Sequence, residues 1–133
     1  MEDWQRDFEW LRVRHFVKAK IGREDLPDLN AVLFLIGIRE LGQVPKTKFT
    51  KEEKQDLMHI GICSILMPDG YYQFTGKDHD GWPHFELLKT IPNKTVKEQE
   101  QFLIDKIIYY FKDVIVDWEM NKSSSIFNTS EEE

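Results

Sequence analysis

Apolar residues recur at helical spacing in four stretches of the chain and alternate in one. In residues 3–19, Trp4, Phe8, Leu11 and His15 fall on one stripe, and Asp3 is placed to cap the helix they predict. Asp28 caps a second helix over 29–41, and Gly42 closes it as a left-handed residue. Apolar side chains occupy every side of this segment as far as Ile38, a pattern that predicts a helix covered by neighbours at the centre of the domain. Gly37 within it costs about 1 kcal/mol relative to alanine, which suggests that another backbone passes close by. Thr50 and Glu53 form a capping box ahead of a third helix, which runs from 51 to about 67 and stops at Pro68.

The period then changes. "YYQFTG" sets Tyr72 and Phe74 on one face and Tyr71, Gln73 and Thr75 on the other, and "WPHFELL" follows a turn at Asp80-Gly81. Residues 71–76 and 82–88 therefore predict a β-hairpin, with Phe85 and Leu87 turned towards the helices. Pro83 lacks an N–H and places the second strand at an edge, or itself among that strand's first residues. Thr95 and Glu98 open a last helix from 96 to about 119, whose wide apolar face includes Leu103, Ile107, Phe111 and Ile115. An isolated hairpin is marginal in water and needs an apolar support. The expected fold is α+β: four helices arranged around a central buried helix (29–41), with one β-hairpin (71–88) packed on one side. Residues 1–120 form a single domain, and the serine-rich acidic segment 121–133 is expected to be a disordered tail.

Composition narrows the function classes. The 133 residues carry 41% apolar and 32% charged side chains, enough for a core without cross-links. Cys63 is the only cysteine, which fits a reducing, cytoplasmic compartment. A formal charge of −6 disfavours nucleic acid as a partner, because phosphate contacts supply most of that affinity. Lys46, Lys48, Lys51 and Lys54 make one basic patch, but Glu52 and Glu53 dilute it and a solvated loop accounts for it. The run "LNAVLFLIGI" is about half the length needed to span a bilayer, so no membrane insertion is expected.

Two groups of residues could carry chemistry. Glu52, Asp56, His59 and Cys63 form one stripe of the third helix, and Asp56 and His59 are spaced to face a single metal ion. Bundle-type metal sites need a second such pair from another helix, which the sequence does not supply. A weak metal alternative would gather Asp56, His59, Cys63 and His84, and a zinc set of His59, Cys63, His79 and His84 matches no familiar structural spacing. Cys63 lies within an apolar helical segment, unsuited to a nucleophile. No catalytic residue and no cofactor are assigned.

The second group is "KDHDGWPHFE". Asp78, Asp80 and Gly81 are turn formers, which explains three of its unusual residues without function. Tyr72, Asp78, His79, Asp80, Trp82 and His84 then form a candidate binding surface, of the aromatic and polar kind that interfaces favour.

"LNAVLFLIGIRELG", "FTKEEKQDLMHIGIC" and "GYYQFTGKDHDGWPHFE" together resemble an uncharacterised family of short bacterial proteins, over residues 28 to 111. The resemblance implies a cytoplasmic bacterial protein standing alone as one domain, and it brings no activity or site residue. The expected function is a protein-binding or scaffolding module that uses its hairpin face, with self-association through the last helix as another route to a partner. The alternative is a small metal-dependent enzyme built on Asp56 and His59.

Overall fold

The structure, a computed structural model, describes residues 2–42, 48–92 and 95–132, with side chains described as far as residue 116. Among the described residues it is an α+β fold of four helices and a two-stranded antiparallel hairpin. The order is α1 (Asp3–Ile21), α2 (Leu29–Leu41), α3 (Lys51–Leu66) with a short 3₁₀ turn Met67–Asp69, β1 (Tyr72–Lys77), β2 (Pro83–Leu87) and α4 (Val96–Glu132). No helix among the described residues is long and apolar enough to cross a membrane. Residues 43–47, including Lys46 of the basic patch, lie outside the described residues, and Lys48, Lys51 and Lys54 are exposed.

Local signals fix most helix ends. The Asp28 side chain accepts the Ala31 N–H at 2.9 Å. Thr50 and Glu53 satisfy each other's backbone N–H groups at 3.1 and 3.0 Å. The first helix starts one residue earlier than expected in its capping role: Glu2, not Asp3, is the cap, paired with Gln5 in a box. The last helix continues to Glu132 rather than stopping near 119, and no glycine or proline interrupts 96–132. The expected disordered tail falls on 121–133, where side chains lie outside the described residues.

α2 and α3 pack antiparallel through two glycines. A Cβ added to Gly37 would lie 1.9 Å from the Leu57 carbonyl oxygen, and one added to Gly61 would lie 2.3 Å from that of Leu33. Each helix thus receives the other's backbone where it has no side chain, which gives Gly37 the close neighbour its helix-interior position implied. Burial is distributed differently from the expectation of a central α2. Val32, Leu33, Ile36 and Leu41 are buried, but Phe34, Leu35 and Ile38 are only half-buried. α3 is the element that meets α2, α4 and both strands, and its buried residues include Leu57, Ile60, Cys63, Ile65 and Leu66. The hairpin covers α3, so the apolar perimeter of α2 is shared between core and rim.

α1 corrects the sequence reading more sharply. The residues it buries are Val13, Phe16 and Val17, with the Phe16 ring edge-on to Phe111 of α4 at 5.8 Å between centroids. Trp4, Phe8 and Leu11, the stripe that helical spacing picks out, are 68%, 62% and 42% exposed, and His15 is exposed with them. At 100° per residue the two sets lie on opposite sides of the helix. Arg6, on the inner side, fixes the choice: its Nε and Nη2 donate to the two carboxylate oxygens of Asp105 at 2.7 and 3.2 Å. α4 also reaches α2, where Arg39 donates to the Tyr110 hydroxyl and that hydroxyl donates to Glu40 at 2.6 Å.

The hairpin pairs Tyr72 with Leu87, Gln73 with Glu86 and Phe74 with Phe85, then slips by one residue so that Gly76 pairs with His84 and Lys77 with Pro83. Thr75 is the extra residue of this bulge, and its hydroxyl donates to the His84 carbonyl at 3.1 Å. Phe85 packs towards the group around Leu41, Leu57 and Ile60, but Leu87, expected to face the helices, is 51% exposed. Leu87 is the last residue of β2, at the open end of the hairpin.

Candidate functional site: a cleft between the third helix and the hairpin tip

Asp78 organises the tip. Its N–H donates to the Trp82 carbonyl and the Gly81 N–H donates back to the Asp78 carbonyl, both at 3.0 Å. Gly81, at φ 87°, completes a type I turn followed by a left-handed residue, a three-residue hairpin loop. The Asp78 carboxylate holds this loop from the side: Oδ1 accepts the N–H groups of Asp80 at 2.9 Å and Trp82 at 3.0 Å, and Oδ2 lies 3.0 Å from His84 Nε2.

These contacts lower the Asp78 pKa below its ordinary 3.8, the His84 hydrogen bond first and the Trp82 N–H next, against an opposing loss of hydration. A depressed carboxyl pKa stabilises the fold fully above the ordinary value, and the contribution is lost as pH falls through the folded value. Carbon-detected NMR is therefore expected to show Asp78 titrating below 3.8, with the Asp80 and Trp82 amide signals moving in the same step. Titration of Asp78 at or above the ordinary value, or unmoved amides, would contradict this account of the tip.

From the tip the chain returns beneath itself. Pro83 is buried, and Trp82 is half-buried against the Leu57 and Ile60 group. Facing it, α3 presents Asp56 and His59, both exposed. Between the two walls lies an open cleft of about 460 Å³, lined by Asp56, His59 and Ile60 on the helix side and by Asp78, Asp80, Trp82, Pro83 and His84 on the hairpin side. His59 and His84, distant in sequence, therefore share one cavity.

The other candidate residues lie around it. Tyr72 is half-buried with its ring edge-on to His59, 6.0 Å between centroids, and burial raises its phenol pKa. His79 projects from the tip, 3.6 Å from Asp80. Cys63 does not reach the cleft: it is fully buried, its Sγ is 3.5 Å from His59 Nε2, and burial pushes its thiol up to about 11. The α3 stripe Glu52, Asp56, His59, Cys63 thus runs from water into the core along its length. Ile60 and Pro83, the apolar floor, are the lining residues that sequence reasoning did not single out.

The Asp78–His84 pair is two parts of a nucleophilic triad, but among the described residues no hydroxyl or thiol lines the cleft to serve as the third. Of the metal candidates, Asp56, His59 and His84 line the cleft and Cys63 does not. Among the described residues no group of three or more His, Cys, Asp or Glu side chains is placed to hold an ion. Cys63 is buried as a thiol, and His84 is turned to Asp78. A larger groove of about 720 Å³ lies between α1, the 3₁₀ turn and α4, and apart from Lys112 the charges on its walls are engaged with one another or with neighbours. Arg12 lies 3.6 Å from Glu9, Lys106 pairs with Asp69, and Asp105 is held by Arg6. No protein-family model, no curated protein and no solved structure matches this chain.

Proposed function

We propose that the protein is a small binding module whose hairpin cleft receives a basic side chain, lysine or arginine, presented by a protein partner. The observation that carries this reading is the convergence of Asp56 and His59 from α3 with Asp78, Asp80, Trp82 and His84 from the hairpin around one open cavity. Carboxylates on both walls attract a cation, the Trp82 ring offers a π face, and Ile60 with Pro83 provides an apolar floor for the aliphatic stem. Asp78 maintains the tip that makes one wall, while Asp56 and Asp80 meet the ligand. A cytoplasmic setting fits a chain whose one cysteine is a buried thiol. The overall charge of −6 favours encounter with basic partners.

The test is a panel of lysine- and arginine-containing peptides, with acidic and neutral counterparts, titrated against ¹⁵N-labelled protein. Basic peptides are expected to shift the Trp82 indole signal and the amides of 56–60 and 78–84, and to weaken as salt rises. Asp56→Asn together with Asp80→Asn is expected to reduce affinity about tenfold, and Trp82→Ala by a similar factor. Binding indifferent to peptide charge, or shifts that avoid the cleft, would rule the reading out.

A further inference from the structure

The outward side of α1 is an organised apolar stripe with no covering element among the described residues. Trp4, Phe8, Leu11 and His15 follow one another at spacings of four, three and four, the a/d pattern of a helix made to pack against another helix. Apart from Arg6, turned inward to Asp105, and Glu9, beside Arg12, charge along the helix is segregated: Glu2, Asp3 and Asp7 lie towards its start, whereas Arg12, Arg14, Lys18 and Lys20 lie towards its end. On one flank of the stripe the order is Asp3 and Asp7, then Arg14 and Lys18.

We propose that this face is closed by a second copy of the chain, with two α1 helices packed antiparallel about a two-fold axis between Phe8 and Leu11. A two-fold contact must be self-complementary, and this one is. Phe8 meets Leu11 of the partner subunit, and Trp4 meets His15 of the partner subunit. Along the flank, Asp7 faces the partner's Arg14, and Asp3 faces the partner's Lys18, each contact occurring twice; within the chain Asp3 also pairs with Arg6 at 2.9 Å and Arg14 Nε donates to the Pro27 carbonyl at 2.8 Å. Parallel packing would instead set acid against acid and base against base. The same acids at the Trp4 and Phe8 end would repel an anionic lipid surface, which amphipathic helices normally meet with lysine and arginine.

α4, the other candidate for self-association, offers less. Its exposed Tyr109 and Val116 are separated by the exposed charges of Lys112 and Asp113. One helix of 19 residues is about 28 Å long, so the α1 contact is at the small end of specific interfaces and its dissociation constant is in the micromolar range. The stripe shares no residue with the hairpin cleft, so each proposal stands or falls separately.

Sedimentation velocity on the full chain, from about 5 to 500 µM, is expected to show a reversible monomer–dimer equilibrium. Phe8→Glu is expected to weaken it by about 100-fold or more while leaving circular dichroism and the thermal midpoint of the monomer unchanged. Asp3→Lys and Lys18→Glu, made in separate chains, should each weaken self-association about tenfold, and an equimolar mixture of the two should restore it. A monomer throughout the range, or a dimer indifferent to Phe8→Glu, would overturn the proposal. Failure of the mixture to recover would overturn the antiparallel arrangement. Sedimentation with vesicles about 30% in anionic lipid, lost in Phe8→Glu and unaccompanied by self-association, would name a membrane as the occupant and overturn it too.

Discussion

Replacing Gly37 by alanine is expected to destabilise the protein by about 3 kcal/mol, although the same change in an isolated helix stabilises it by about 1 kcal/mol. The sign reverses because of what lies opposite. A methyl group at Gly37 would be 1.9 Å from the Leu57 carbonyl oxygen, which belongs to a helix backbone and cannot rotate away. Accommodating it requires α2 and α3 to separate, loosening Leu33 and Leu57, both buried in that contact. Gly61→Ala should act in the same direction through Leu33. The double variant should cost less than the two changes together, because a gap opened by the first methyl partly admits the second. Equilibrium denaturation in urea measures all three. A Gly37→Ala variant more stable than the parent would mean that helix propensity governs the site and that the backbones are not in contact.

That glycine also marks how far the sequence could be read. Its cost inside a helix pointed to a close neighbour, but only the folded chain shows that the neighbour is Leu57 and that Gly61 repays the contact. Capping residues were legible because their partners lie three positions away, as with Asp28 and Ala31 or Thr50 and Glu53. The hairpin was legible from its alternation and from Asp80-Gly81. Its register was not, because the bulge at Thr75 shifts the pairing of His84 and Pro83. Gly76, a glycine inside a strand pattern, was the available warning.

The candidate site divides the same way. Asp78, Asp80, Trp82 and His84 cluster within seven positions of sequence and drew attention together. Their meeting with Asp56 and His59 depends on the hairpin folding back over α3, a tertiary contact that no local pattern encodes. Cys63 was legible from its apolar neighbours, which marked it as buried despite its place on the stripe. It continues the Asp56–His59 stripe by spacing, yet the strands cover α3 at that depth and leave it a buried thiol.

The choice between the two faces of α1 has the most direct mutational consequence. Phe16→Ala is expected to cost about 3–4 kcal/mol, by removing a buried ring that packs edge-on against Phe111 and leaving a cavity between α1 and α4. Phe8→Ala, the same chemical change eight residues earlier, is expected to stay within about 0.5 kcal/mol in dilute solution, since its side chain is already mostly in water. Helical periodicity alone ranks these oppositely, because the Trp4, Phe8, Leu11, His15 stripe is regular while the inner stripe is interrupted by Arg6. The arginine is what makes the inner stripe compatible with α4: its guanidinium is satisfied by Asp105, so the polar residue belongs to the contact instead of excluding it. Thermal unfolding at low concentration reads the difference as a shift on the order of 10 °C for Phe16→Ala and almost none for Phe8→Ala. Equal losses from the two would place both rings in packed surroundings, and a larger loss from Phe8 would turn the helix over, taking with it the outward stripe on which self-association depends.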